Sequence, residues 1–231
     1  MNKFNFTFVV SLIPKVISYL TLGFVIGAIC GYLLFYANRP FYEFILKSWF
    51  QRILFGAKYL DNQYTLWFVI NNFLALTLAI VGGMFLLMSI GRRRFAFSNK
   101  FKSFERYHPK VTMFSLYMLP IGATFINSFL ISLFLVFTYL SRGYDIFLLS
   151  VNALVPHGIN EIFALILASS LGLSYVKILE PIIMKKRWEE AIKLGKQMVL
   201  SKTSFYVFLF IAILILFSAF LEGSKFLLLS R

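Results

Sequence analysis

Apolar residues gather into five long runs, about Phe8–Tyr36, Leu66–Ile90, Val111–Leu140, Ile146–Ile178 and Ser204–Leu221, with the charged residues massed between them. Crossing a bilayer's hydrocarbon takes ~20 consecutive apolar residues, so each run predicts a transmembrane helix. The expected fold is all-α, a polytopic helical membrane bundle of about five spans forming one transmembrane domain over residues 1–231. Lys3 and Lys15 bracket an apolar patch in the manner of a signal peptide. No small-residue cleavage site follows before a polar domain, so the first span reads as retained.

Two connectors carry their own pattern. Phe41, Ile45, Trp49 and Ile53 recur every four residues, with Glu43, Lys47 and Gln51 on the other side; this predicts an amphipathic interfacial helix over 41–57. The stretch 181–201 predicts a basic helix on the membrane surface, carrying Lys185, Lys186, Arg187, Lys193 and Lys196.

The fourth run is too long for one crossing. As a continuous helix it would measure roughly 50 Å against about 30 Å of hydrocarbon. Pro156 supplies a break, with a new helix starting there and the ten preceding residues left as a half-helix.

Composition agrees with the pattern. Of 231 residues, 60% are hydrophobic and 14% charged, where a soluble domain carries about 25% charged. The net charge of +14 raises a nucleic-acid partner, but the cations flank apolar runs, where they set orientation and meet anionic headgroups. The partner expected is the lipid bilayer, not nucleic acid. Sixteen Lys and Arg lie in the N-terminus and the 92–110 and 177–202 loops, against seven on the alternate side. The positive-inside rule then sets the N-terminus in the cytoplasm and the C-terminus outside, in the cell membrane.

Several residues depart from lipid-facing helix. Gly23, Gly27 and Gly31 form a one-residue-per-turn ridge for close helix packing, against either another span or a second copy in a homo-oligomer. Asn71 and Asn72 lie a turn or so inside the second run, and Asn72 shares a face with Ala75, Ala79 and Gly83; an amide in hydrocarbon needs a partner, so that face should look inward. Pro120, Gly122 and Asn127 predict a kink in the third.

The richest segment is Pro156-His157-Gly158-Ile159-Asn160-Glu161. His157 and Glu161 share a helical face, which Ala164, Ala168 and Gly172 continue as a small-residue stripe. Glu161 should therefore point at protein, paired with His157 or held neutral. Two readings stand: hydrogen-bonded fastening of helices, or a proton or ion site facing Asn71 and Asn72.

An enzyme is not expected. Zinc proteolysis needs paired histidines, but His108 and His157 are the two histidines present, and His108 sits in a basic loop. Ser169 and Ser170 lie three turns from His157. Cys30 is the single cysteine and forms no cluster. No metal, cofactor or catalytic set is expected.

Pro156 to Ala164 resembles the signature of the stage II sporulation protein M family, usually Pro-His-Gly-Ile-Phe-Glu-Leu-Pro-Ala. Asn71-Asn72 with Ala75 and the Gly82-Gly83 pair look similar too, as does the five-span layout. Asn160 stands where the family has an apolar residue, and Phe163 where it has a second proline. The resemblance implies a membrane scaffold that gathers peptidoglycan-degrading enzymes, with envelope or cell-wall-modifying proteins as partners. The alternative is a small transporter or channel using His157 and Glu161.

Overall fold

The computed structural model describes residues 4–48, 64–96 and 109–229. All regular structure there is helical: α1 (Phe6–Val10), α2 (Ile13–Ala37), α3 (39–48), α4 (Tyr64–Ala96), α5 (Pro109–Met184), α6 (Trp188–Val199) and α7 (Lys202–Leu229). Among the described residues, four segments are long and apolar enough to cross a membrane: Phe6–Ala37, Pro109–Pro156, Gly158–Met184 and Lys202–Leu221. A shorter apolar helix, Asn72–Met88, lies within α4. The protein is a polytopic helical membrane bundle.

The exposed faces confirm which solvent it meets. Along α7 the buried positions among the described residues are Ser204, Val207, Ile211, Ile215, Ser218 and Ala219, a helical stripe of small and branched residues. Phe205, Phe210, Ile213, Phe217 and Phe220 occupy the other side, each more than half exposed. A helix that turns its aromatics outward and its serines inward suits lipid, because hydroxyls need partners that acyl chains cannot give.

Helix α5 carries a turn that the sequence did not mark, besides the division of its apolar spans into Pro109–Pro156 and Gly158–Met184 at the expected proline. Its backbone stays helical through Pro156, and its one non-helical residue is Gly143, at φ 82° and ψ 178°. That conformation belongs almost solely to glycine, so the chain turns in the short polar stretch between the third and fourth runs. Pro156 withholds one N–H from the carbonyl of Asn152, a loss that a well-packed membrane helix tolerates.

The chain divides into two compact units. The first comprises Met1–Val16, Ala75–Ala123 and Leu165–Ile211. A close backbone joint lies at Gly172 on α5, where an added Cβ would collide with the carbonyl of Ala79 on α4 and lie 3.3 Å from Pro120. Ala168 is fully buried in the same unit. Helix α5 ends here in a Schellman turn: the Arg187 N–H reaches the Ile182 carbonyl at 3.1 Å and the Lys186 N–H the Ile183 carbonyl at 2.8 Å. Lys186 holds the left-handed position, φ 58°, usually a glycine's.

Helix α6 follows at once. Trp188, Ala191, Gly195 and Met198 are buried, and Gly195 packs against Met84 of α4 and Leu179 of α5. The expected surface helix thus spends its apolar side on protein. Tyr175 donates to Ser204 Oγ at 2.7 Å, and Ser204 Oγ donates to the Met198 carbonyl at 2.6 Å, tying the α6–α7 turn to α5. Tyr117 likewise donates to Glu180 at 2.7 Å.

The second unit comprises Ile17–Leu74, Thr124–Ala164 and Ala212–Arg231. Here the glycine ridge of α2 meets α5 within the same chain: Gly23 abuts Phe125 and Ser128, Gly27 abuts Phe129 and Ser132, and Gly31 abuts Tyr42, Leu133 and Val136. Helix α3 starts on Asn38, whose side chain accepts the Phe41 N–H at 3.1 Å, an N-cap bond. Tyr42 and Leu46 are its buried residues, and the Tyr42 hydroxyl donates to the Leu133 carbonyl. Phe41 and Phe44 stay exposed, so the protein-facing side is offset by one residue from the expected Phe41–Ile45 face. Trp49, Gln51, Ile53 and Ala57 lie outside the described residues.

Candidate functional site

Three helices of the second unit converge on one carboxyl group. Glu161 extends from α5, Asn72 from α4 and Ser218 from α7. Asn72 Nδ2 donates to Glu161 Oε1 at 2.5 Å, and Ser218 Oγ donates to the same oxygen at 3.2 Å. Glu161 is partly buried, and one turn along its helix Ala164 is fully buried. A small residue there lets neighbouring backbones draw close, which brings the short side chains of Asn72 and Ser218 within reach.

The chemistry follows from the inventory of groups. An amide N–H and a hydroxyl are donors, and a carboxyl oxygen accepts both. In hydrocarbon neither donor has water as an alternative, so the shared acceptor satisfies groups that would otherwise be left unpaired. Both bonds fall on Oε1, and neither engages Oε2.

The other signature residues surround this joint unevenly. Asn160 is partly buried, and its side-chain amide donates to the Pro156 carbonyl at 3.3 Å, a bond within its own helix. Pro156 is exposed. Gly158 has open space around it: an added Cβ would meet nothing within 4 Å. The side chains of His157 and Asn71 lie outside the described residues, so the expected pairing of His157 with Glu161 does too. Among the described residues no three His, Cys, Asp or Glu side chains converge as a metal site would require.

Ser218 is the member that sequence reading missed. Its signal was a lone hydroxyl beside Ala219 inside an otherwise apolar run. A serine there is common enough in membrane helices to pass unnoticed, since it can bond its own backbone. Only the fold shows that it faces Glu161.

No curated protein and no solved structure was found to match this chain. The family model described as "Stage II sporulation protein M" matches residues 20–224. That range takes in the Pro156–Ala164 segment and all three members of the Glu161 joint, and the chain accordingly belongs to the stage II sporulation protein M family.

Proposed function

We propose that the protein is a non-enzymatic membrane scaffold, an assembly partner for other envelope proteins. The observation that carries this reading is the Glu161 joint, in which Asn72 and Ser218, from two other helices, both donate to a single carboxyl oxygen. Such wiring fixes the relation of helices and so holds a constant surface for partners. The partner class we take from the family resemblance is proteins that modify the cell wall. Orientation belongs to the same proposal, with the N-terminus in the cytoplasm and the C-terminus outside, on the bias of basic residues.

Cross-linking in native membranes followed by purification tests it. The expected result is a stoichiometric envelope protein, with a wall-modifying domain, retained by wild type and lost when the joint is broken by Glu161→Ala. Recovery of the chain alone after cross-linking contradicts it.

One observation favours a second reading, a proton or ion site. Both donors engage Oε1, which leaves Oε2 outside the two bonds. On that reading purified protein in liposomes carries a flux that Glu161→Gln abolishes. A flux that survives the substitution removes Glu161 from any transport path.

A further inference from the structure

The basic end of α6 gains a use once its apolar side is accounted for. Trp188, Ala191, Gly195 and Met198 are buried, so the helix does not float on the membrane by that face. What it turns outward is charged. Glu189 and Glu190 take the first turn, where free helix N–H groups favour carboxylates, and Glu190 is ion-paired with Arg187. Toward the other end the exposed face becomes cationic, with Lys193 and Lys196, followed by Lys202 at the start of α7.

Between Lys196 and Lys202 stands Leu200, 85% exposed and the most exposed large apolar residue described. It sits in the α6–α7 turn, its N–H on the Lys196 carbonyl at 3.1 Å. A leucine presented to water in this way is unfavourable; presented to acyl chains it is not. The position allows the second. Gly158–Met184 and Lys202–Leu221 are both apolar enough to span, and the chain between them, residues 185–201, begins and ends at a span. Its cations are thereby held near the headgroup layer, where an anionic surface attracts each Lys.

We propose that the α6–α7 turn is a binding site for an anionic phospholipid, with Lys193, Lys196 and Lys202 meeting the headgroup phosphate and Leu200 entering among its acyl chains. The requirement for both a phosphate and an apolar tail selects a lipid over a free anion. It also separates this site from the Glu161 joint, so the proposal stands whether or not the scaffold reading does.

The test uses the full-length protein in neutral detergent, read by thermal melting and by lipid retention in native mass spectrometry. Phosphatidylglycerol should raise the melting temperature by several degrees, since a ligand that binds the folded state stabilises it, and phosphatidylcholine should not. High salt should weaken the effect. The double substitution Lys193→Gln, Lys196→Gln should abolish most of the shift, Leu200→Ser should reduce it, and Lys47→Gln, which removes one exposed charge elsewhere, should leave it intact. All of these side chains are exposed, so the variants are expected to fold, and each variant's lipid-free melt reports that directly. Equal stabilisation by phosphatidylcholine, an equal effect of inorganic phosphate, or a full shift in the double variant overturns the proposal.

Discussion

Within the second unit, α2 and α5 are joined by removing side chains, whereas α4, α5 and α7 are joined by adding polar ones. At the first joint Gly27 lets the two backbones close until an added Cβ would lie 2.6 Å from the Phe129 carbonyl. At the second, the Glu161 carboxyl gathers an amide and a hydroxyl from two other helices. The steric joint tolerates no growth but needs no chemistry. The polar joint has space nearby, since Gly158 meets nothing within 4 Å, but depends on each donor keeping its acceptor. Membrane helices lack a hydrophobic drive toward one another, so both devices serve the same end.

Substitutions that exchange the two demands should separate them, and the steric joint should respond most. Gly27→Leu should lower stability by ~3 kcal/mol, the upper part of the range for overpacking, seen as loss of folded protein on size exclusion in detergent. Gly158→Ala, the matched change beside the polar joint, should leave the melting temperature within about a degree or raise it, because alanine is the better helix former. If both glycines tolerate a side chain, the ridge is not a close contact.

Next in size comes the turn that feeds the polar joint. Gly143→Ala should lower stability by about 2 kcal/mol, because alanine is strained at that φ and ψ. Nothing lies within 4 Å of the added Cβ, so the loss is purely one of backbone. Pro156→Ala should go the other way and hold or raise the melting temperature, since a proline inside a helix is unfavourable. A marked loss at Pro156 would mean that the proline itself shapes the joint.

The polar joint should respond by smaller amounts. Glu161→Ala should lower stability by about 1–2 kcal/mol, the order expected when two donors lose a shared acceptor in a membrane protein. Ser218→Ala should lower it by about 0.5 kcal/mol, its bond being the longer and its hydroxyl able to turn back on its own helix. Reversible unfolding in mixed micelles measures each. A Ser218→Ala loss that equals that of Glu161→Ala would mean the hydroxyl, not the amide, carries the joint.

The two joints also differ in how far the sequence revealed them. Glycines at every fourth position mark a face by spacing alone, so Gly23, Gly27 and Gly31 were legible as a packing ridge; that their partner is α5 of the same chain was not, because spacing names a face and not what meets it. Glu161 and Asn72 were legible as misfits in apolar runs, whose insertion needs compensation. Ser218 was not, being no misfit at all. The five runs and the all-helical membrane class followed from segment length and hydrophobicity. The site of the turn did not: Pro156 advertises a defect, but one missing N–H bends a helix less than a glycine at positive φ redirects it. Helix α6 shows the same limit. Its amphipathic pattern predicted a helix with one apolar side, and only packing decided that Met84 and Leu179, rather than lipid, would cover it.

The most direct measurement is a double-mutant cycle on Asn72→Ala and Glu161→Ala, by reversible unfolding in the same micelles. The amide and the carboxyl should be coupled by about 0.6–1.7 kcal/mol, the double variant losing less than the two single losses added together. Strictly additive losses would mean that α4 and α5 do not depend on each other through this bond, and the joint would cease to explain how the unit holds its helices.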